Sequence, residues 1–312
     1  MSRNHHFHEG ERAVQRRAGE AATAARNVAM VSDSVIGGAR PFVASQFMVA
    51  TGSIDATGAV WASLLFGKPG FAHTEDGSQI SLDVPMAYRE AHEPLWTNLA
   101  ANKDLGLLFI ELGTRRRYRV NGTLTGKDDK HLEVSVREAY PNCPKYIQRR
   151  QLRTLEERRT ATQTASGSAL RGSVSALVTQ ADTLFLASRH AEAGADVSHR
   201  GGDEGFVQLI DERTLRIPDY PGNSMFNTWG NLQVDAHAGI CIPDFTHGRL
   251  LQLTGTVSLE WDQPDPSDET GGTGRYLQFH VDRWLLHDAI PRAAWTYIDA
   301  SPFNPPVPPR ES

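Results

Sequence analysis

The sequence predicts two tandem copies of a mainly β domain that carries a few helices, an α+β arrangement. Two observations predict it: the chain repeats itself, and both copies consist of short apolar runs separated by turn residues. WASLLFGKPGF, which begins at Trp61, matches DVSHRGGDEGF, which begins at Asp196, without a gap. WTNLAANKDLGLLFIEL from Trp96 matches WGNLQVDAHAGICIPDF from Trp229. A repeat of this length indicates a duplicated domain, because solenoid units recur more often and at a shorter period.

The elements follow in order along the chain. Residues 11–30 are rich in alanine and in charge, which predicts one or two helices. In the first copy, strands are predicted at FMVATGSI, AVWASLLF, QISLDVP, LGLLFIEL, YRVNGTLT and KHLEVSVREAY, and a helix within 88–101 starts near Pro94. The second copy repeats the scheme, with NSMFNTWGNLQVDA as the counterpart helix. Short strands separated by turn residues suggest an antiparallel barrel or sandwich.

The chain divides into five predicted parts: an N-terminal helical segment (1–40), a first β domain (41–150), a linker (151–172), a second β domain (173–295) and a proline-rich tail (296–312). The stretch from Arg149 to Gly172 begins charged and becomes rich in Ser, Thr and Gly, which predicts a short helix and then a flexible connection. Residues 263–274 predict a long exposed hairpin loop. The tail from Ser301 should be extended, because its prolines prevent a helix.

Composition excludes several classes of protein. No stretch approaches the roughly 20 apolar residues of a membrane helix, and the N-terminus lacks the apolar core of a secretory signal, so we expect a cytoplasmic protein. A formal charge of −5 argues against broad nucleic-acid binding. Cys143 and Cys241 provide no disulfide framework and no cysteine metal site. His5, His6 and His8 are more typical of a solvated tail than of a metal site.

The two copies differ at polar positions, and the difference predicts an anion site in the second copy. A phosphate site needs basic groups, small hydroxyl or amide side chains, and backbone N–H groups at a helix N-terminus. The second copy supplies Ser198, His199, Arg200, Asn223, Asn227, Thr228 and Asn231. In the first copy Leu65 stands opposite Arg200, and Pro94 stands opposite Asn227. The alternative is that these residues only form turns.

A second polar cluster follows the first copy. It contains Tyr140, Asn142, Cys143, Lys145, Tyr146 and Gln148. Two prolines hold the Asn-Cys pair extended, and the cluster offers flat faces, hydrogen-bond donors and one cation. Such a set suits a heteroaromatic ring. A capped turn with surface Lys and Arg side chains explains the composition equally well.

The motif YPNCPKYIQ (Tyr140–Gln148), with RRRYRVNG and FHEGERAVQRRAG, resembles the pyridoxamine 5′-phosphate oxidase-like flavoproteins and, within them, the double-domain subgroup. DVSHRGGDEGFV and IPDYPGNSMFNTWGNL resemble the FMN-binding segments of that superfamily. The resemblance implies two tandem split β-barrels, packed as a pseudo-dimer with FMN in their interface. Single-domain relatives form homodimers, and whether this chain also dimerises is left open.

The resemblance also implies roles for residues. Ser198, Arg200, Asn223, Asn227 and Asn231 would lie on the phosphate and ribityl side, whereas Asn142, Cys143, Lys145 and Gln148 would approach the isoalloxazine. Lys145 would stabilise the anionic reduced ring, and Tyr140 and Tyr146 are the candidate proton donors.

The activity implied is that of an FMN-dependent oxidoreductase acting between a reduced nicotinamide, a reductase or another donor and a small-molecule substrate. The proline-rich C-terminus lacks the Arg-containing ending that grips the substrate phosphate in true pyridoxamine phosphate oxidases. Oxidation of vitamin B6 is therefore not expected. The alternatives are a non-catalytic flavin-binding or storage protein and a haem-binding protein with a histidine ligand.

Overall fold

The computed structural model describes residues 7–84, 88–89, 92–156, 163–287 and 292–307. The helices are α1 (Glu9–Arg17), α2 (Ala21–Asn27), α3 (Arg40–Ala44), α4 (Pro94–Ala101), α5 (Ser173–Thr179) and α6 (Asn227–Val234). The first nine strands are β1 (Met48–Ile54), β2 (Val60–Phe66), β3 (Ala72–His73), β4 (Gln79–Asp83), β5 (Asp104–Glu111), β6 (Arg116–Lys127), β7 (His131–Pro141), β8 (Arg149–Glu156) and β9 (Thr164–Gly167). The others are β10 (Thr183–His190), β11 (Gly194–Gly201), β12 (Gln208–Asp211), β13 (Thr214–Pro218), β14 (His237–Asp244), β15 (Arg249–Glu260), β16 (Tyr276–His287) and β17 (Arg292–Asp299).

Two large sheets dominate the molecule and share one order of strands. The first is ordered β2-β1-β5-β6-β7-β4-β3, and the second is ordered β11-β10-β14-β15-β16-β13-β12. Replacing each strand of the first sheet by the strand nine places later in the chain gives the order of the second. We call the strands β1–β7 with α4 the first unit, and β10–β16 with α6 the second unit. The prediction of a mainly β architecture with few helices is confirmed.

Both faces of the strands at the centre of the molecule are buried, and this explains their uniformly apolar sequences. Every residue of β1 and β2 is buried. Because successive side chains point to opposite faces, Val49 packs in the core of the first unit, whereas Ala50 packs in a second cluster shared by both units. Phe185 and Val197 of the second unit belong to that shared cluster. The two units therefore contact each other through their central strands.

Glycines allow the two units to meet backbone to backbone. A Cβ atom added to Gly106 on β5 would lie 2.8 Å from the Cα atom of Asp196 on β11. A Cβ atom added to Gly239, the repeat partner of Gly106, would lie 2.6 Å from the carbonyl oxygen of Val60. No side chain fits at these distances, so the approach of the sheets requires glycine on both sides.

The predicted N-terminal helices are present, and they pack on the second unit. Helix α1 begins with a capping box between His8 and Glu11 and crosses α6 at a contact between Gly10 and Gly230. A Cβ atom added to Gly10 would lie 2.1 Å from the carbonyl oxygen of Gly230. Among the described residues, no helix has the length and apolarity needed to cross a membrane.

The helix predicted after Arg149 is wrong, because this stretch forms β8 and pairs antiparallel with β17. Arg150 lies opposite Tyr297 in this two-stranded ribbon. Cross-strand pairing with a distant segment thus overrides the local helix preference. The predicted loop at 263–274 is confirmed and connects β15 to β16, whereas the predicted tail begins inside β17.

The glycine contact yields a test of the packing. Gly106→Ala should destabilise the protein by about 1–3 kcal/mol, because its methyl group meets the backbone of the other unit and cannot be relieved by a rotamer change. Chemical denaturation measures the difference. Gly37→Ala is the control, since no atom lies within 4 Å of its added Cβ atom. Equal stability of the Gly106 variant and the control would contradict this packing.

Candidate functional site

An open cleft with a cavity volume of about 130 Å³ lies between the two units. The first unit and the segment after β7 contribute Arg117, Arg119, Asn142, Cys143 and Tyr146. The second unit contributes Ser198, His199, Arg200, Gly201, Phe206, Pro218, Asp219, Tyr220, Gly222, Asn223, Ser224, Phe226, Asn227, Thr228, Trp229 and Arg275.

A buried ion pair between the units positions the floor of the cleft. Nη1 of Arg119 on β6 lies 3.0 Å from a carboxylate oxygen of Asp196 on β11. Asn121, two residues further along β6, donates a hydrogen bond to the same carboxylate at 3.2 Å. Residues two apart on a strand share a face, so this contact brings Arg117 and Ser198 to the cleft.

Two of the arginines in the cleft are neutralised by one buried carboxylate. Asp219 is only 4% exposed and lies immediately after β13. Nη1 of Arg200 donates to one of its oxygens at 2.6 Å, and Nε of Arg275 donates to the other at 2.9 Å. Arg200, which the sequence predicted as a phosphate ligand, therefore already has an acidic partner.

Arg117 is different, because among the described residues no carboxylate pairs with it. Its guanidinium donates to the carbonyl oxygens of Cys143 at 2.6 Å and His199 at 3.3 Å. Burial, together with the nearby charges of Arg119 and Arg200, lowers the pKa of Arg117 to about 10. The group still carries its charge at neutral pH, so an anion in the cleft would be strongly stabilised by it.

Several buried polar atoms around the cleft lack a hydrogen-bond partner among the residues that the structure describes. They include Oδ1 of Asn142, Nε2 of His199 and Nε of Arg200. A buried polar atom without a partner typically costs about 1–3 kcal/mol, so such atoms mark places where a ligand can contribute.

The chemical state of His199 follows from its neighbours. Burial and the charges of Arg117 and Arg200 hold its pKa well below the usual range, so the imidazole is neutral. Its Nδ1 faces Nη1 of Arg117 at 3.4 Å and acts as acceptor, which leaves the hydrogen on Nε2. His199 is thus a neutral hydrogen-bond donor at the wall of the cleft.

Strained backbone and aromatic rings also gather at this cleft. Tyr146, Ser224 and Phe226 all have positive φ, at 66°, 64° and 60°. Such conformations are uncommon for residues other than glycine and cluster at functional sites. The ring of Tyr146 lies 4.8 Å from that of Tyr220, tilted by 45°. Phe226 also precedes α6 without a side-chain cap, which leaves N–H groups of the first turn without a side-chain acceptor.

Most of the predicted site residues line this cleft. They are Asn142, Cys143, Tyr146, Ser198, His199, Arg200, Asn223, Asn227 and Thr228. The polar clusters at 140–148 and 198–231 are far apart along the chain, and the contact between the units brings them together.

The four other predicted residues lie elsewhere. Tyr140 is fully buried behind the cleft, and its hydroxyl accepts a hydrogen bond from Arg119 at 3.0 Å. Burial raises the pKa of Tyr140 well above its usual range. Nζ of Lys145 lies 5.2 Å from the ring centre of Phe303, outside the cleft lining. Gln148 and Asn231 are buried, and Oδ1 of Asn231 accepts a hydrogen bond from Nε2 of His8 at 3.0 Å.

Sequence reasoning missed Arg117, Arg119, Asp219 and Arg275. A signal for the first two was present in the repeat, because RYRVNGTLT aligns with LLQLTGTVS and sets Leu250 opposite Arg117. Gln252 likewise stands opposite Arg119. The same comparison of polar differences that selected Arg200 would have found both.

The equivalent place in the first unit is filled by one of its own carboxylates. Glu93 precedes α4 as Phe226 precedes α6, and its Oε1 accepts a hydrogen bond from the backbone N–H of Leu95 at 3.2 Å. The same oxygen accepts from Ser63 at 2.5 Å and from Gln252 at 3.0 Å. A side-chain anion thus caps the helix where the second unit leaves its first turn without a side-chain cap.

One cluster near the N-terminus offers metal-ligating atoms but not a metal-binding geometry. The ligand atoms of His8, Glu9 and His190 lie within 4.8 Å of one another. The two imidazole rings stack at 4.0 Å and are inclined by only 19°. Lone pairs lie in the ring planes, so nearly parallel stacked rings cannot converge on one ion. His5 and His6 lie outside the described residues.

Glu11 provides a test of the packing between α1 and the cleft wall. Its carboxyl group accepts a hydrogen bond from Asn227 at 2.6 Å, and burial raises its pKa to about 8. Folding therefore takes up a proton between about pH 4.5 and 8, and this group's contribution to stability falls as the pH rises through that window. The slope is at most about 1.4 kcal/mol per pH unit.

Glu11→Gln should remove this slope from the unfolding free energy measured between pH 5 and 8. Glu75→Gln, at an exposed position, is the matched control and should retain it. A slope that persists in the Glu11 variant would show that another group takes up the proton.

No family model and no curated protein matches this chain. Solved structures match parts of it. A putative pyridoxamine 5′-phosphate oxidase from Lactobacillus delbrueckii aligns at 12% identity over 38% of this chain and 94% of that chain, with a TM-score of 0.31. A FAD-binding protein from Mesorhizobium loti aligns at 9% identity over 40% and 97%, with a TM-score of 0.29.

A protein related to general stress protein 26, of the pyridoxinephosphate oxidase family, from Clostridium acetobutylicum aligns at 12% identity over 40% of this chain and 92% of that chain, with a TM-score of 0.28. At such TM-scores the matches do not establish the fold, which follows from the strand order of this chain. The matched structures include members of the pyridoxamine 5′-phosphate oxidase group, which is the group that the sequence motifs resemble.

Proposed function

We propose that the protein is an FMN-dependent oxidoreductase whose flavin binds in the cleft between the two units. The observation that carries the proposal is Arg117, a partly buried guanidinium that lines the cleft without a carboxylate partner among the described residues. The two units would then be tandem split β-barrels packed as a pseudo-dimer. This arrangement fits a cleft whose walls come from both units.

The residues of the cleft suit the parts of FMN. Arg117 and the N–H of His199 would hold the phosphate, together with the hydroxyl of Ser198. Asn223, Asn227 and Thr228 offer amide and hydroxyl groups for the ribityl chain. Asn142, Cys143 and Tyr146 would line the ring, where the free Oδ1 of Asn142 can accept a hydrogen bond. When bound, FMN would supply hydride or two-electron transfer.

The net charge of the cleft comes mainly from Arg117. Four arginines line the cleft, but Asp219 pairs with Arg200 and Arg275, and Asp196 pairs with Arg119. The positive charge of Arg117 would therefore serve the phosphate. Lys145, which was expected to stabilise the anionic reduced ring, lies outside the cleft lining.

Tyr146 is the better placed of the two proposed proton donors, because it lines the cleft and Tyr140 does not. Burial raises the pKa of Tyr146 to about 12, so its hydroxyl keeps the proton at neutral pH. That hydroxyl now donates to the carbonyl oxygen of Pro221 at 3.0 Å. A reduced nicotinamide, a reductase or another donor would supply electrons for a small-molecule acceptor.

Two alternatives differ from this proposal in ways that experiments can separate. A flavin-storage protein would bind FMN but would not be reduced by NADH or NADPH under anaerobic conditions. Haem binding needs an imidazole nitrogen with a free lone pair. His199 is the histidine in the lining of the cleft, and its Nε2 carries hydrogen while Arg117 donates to Nδ1, which disfavours iron ligation.

Arg117→Ala should weaken FMN about ten- to a hundredfold while changing riboflavin binding little. The variant removes a charge-assisted hydrogen bond worth about 1.5–3 kcal/mol, and riboflavin lacks the phosphate that would accept it. Quenching of flavin fluorescence measures both dissociation constants. Arg116→Ala is the matched control, because this exposed neighbour on β6 lies over the ring of Phe42. Equal weakening of both ligands by the Arg117 variant would place the phosphate elsewhere.

We also expect one FMN per chain, because Glu93 fills the equivalent place in the first unit with a carboxylate. That carboxylate repels a phosphate and already uses the hydroxyl of Ser63. The absorbance ratio of flavin to protein after reconstitution gives the stoichiometry. A ratio near two would mean that the Glu93 contacts open to admit a second ligand.

A further inference from the structure

The C-terminal segment at 299–304 lies behind the wall of the cleft that the first unit provides. The hydroxyl oxygen of Ser301 accepts a hydrogen bond from the backbone N–H of Tyr146 at 3.1 Å. The backbone N–H of Ser301 donates to Oε1 of Gln148 at 2.7 Å, and Nδ2 of Asn304 donates to the same oxygen at 3.0 Å. Tyr146 lines the cleft, whereas Ser301, Gln148 and Asn304 do not.

Tyr146 needs such support because its backbone is strained. With φ at 66°, it adopts a left-handed conformation that a residue with a side chain rarely keeps unless its surroundings hold it there. Its N–H is held by Ser301, and its carbonyl oxygen accepts from Nε2 of Gln148 at 3.3 Å. Its hydroxyl donates to the carbonyl oxygen of Pro221 on the opposite wall.

The same contacts join the segment to the second unit. Nε2 of Gln148 also donates to the carbonyl oxygen of Gly202 at 3.0 Å, and Nδ2 of Asn304 donates to Asp203 at 2.6 Å. A Cβ atom added to Gly201 would lie 2.1 Å from the carbonyl oxygen of Tyr146, so the strand end and the wall are in direct backbone contact. The segment therefore ties one wall of the cleft to the strand that forms the other.

We propose that residues 299–304 act as a strap that positions Tyr146 and thereby controls how long the cleft retains a planar ring. The proposal rests on the flavin site proposed above. Ser301, Gln148 and Asn304 are positioning residues, since they act through Tyr146 and do not line the cleft. Gln148, which the sequence placed beside the isoalloxazine, has both ends of its amide used by the strap and the second unit.

The release rates of FMN and riboflavin distinguish the effect of the strap from that of the phosphate contact. Ser301→Ala should release both FMN and riboflavin about three- to tenfold faster, because one buried hydrogen bond is lost and both ligands share the ring. Arg117→Ala, by contrast, should affect FMN alone. Stopped-flow fluorescence gives the release rates. Ser78→Ala, which removes an exposed hydroxyl bonded to Asp76, is the matched control and should leave both rates unchanged.

Cys143 supplies a readout that needs no flavin. It lines the cleft beside Tyr146 and is partly exposed, whereas the other cysteine of the chain, Cys241, is fully buried. In the ligand-free protein, Ser301→Ala should speed the reaction of Cys143 with a thiol reagent by a similar factor. Asn304→Ala should also speed this reaction, because it removes the hydrogen bonds of Asn304 to Gln148 and Asp203. Ser301→Thr keeps the hydroxyl group and should react at the rate of the unaltered protein.

The outcomes distinguish the two proposals. If the unaltered protein binds no flavin, the proposed function fails, and the Cys143 rates still decide whether the strap holds the wall. If Ser301→Ala and Asn304→Ala fold with unchanged Cys143 rates and unchanged flavin release, the strap is overturned while the flavin site stands. Faster release of FMN without faster release of riboflavin would also overturn it, because the segment would then act on the phosphate side.

Discussion

The buried contact between Arg119 and Asp196 is the interaction on which the rest of the site depends. It crosses from β6 of the first unit to β11 of the second, at the point where Gly106 lets the two backbones meet. Breaking one partner of such a pair leaves an uncompensated buried charge, which is strongly unfavourable. The pair therefore fixes the register between the two strands. That register sets Arg117 beside His199 and creates a cleft that neither unit has alone.

The two copies share one strand order but differ in the side-chain cap at the N-terminus of the equivalent helix. In the first, Glu93 provides an internal acceptor, and the surrounding positions are apolar or neutral. In the second, Phe226 provides none, and the facing strand of the first unit carries Arg117 and Arg119. The charge of the cleft thus comes from one copy and its open helix end from the other. Duplication within one chain lets the two copies differ, so that Glu93 fills one of the two equivalent places while the other lacks a side-chain cap. Identical subunits related by a two-fold axis would carry the same residues at both places.

Local pattern predicted the strands and the two equivalent helices. It failed where a distant contact decides the outcome. The stretch after Arg149 has helical composition but pairs with β17, and Arg200 is engaged by Asp219, which no linear spacing reveals. Arg117 of the first unit lines the cleft together with residues of the second unit. Only the packing of the units shows this, although the repeat sets the neutral Leu250 opposite Arg117.

A crystal structure of the protein with FMN would show directly where the phosphate binds. We expect one flavin per chain, in the cleft between the units, with its phosphate within hydrogen-bonding distance of the Arg117 guanidinium and the His199 imidazole. Glu93 should keep its contacts with Ser63 and Gln252. A phosphate bound at the N-terminus of α4, or a flavin whose phosphate lies away from Arg117, would show that the proposed site is wrong.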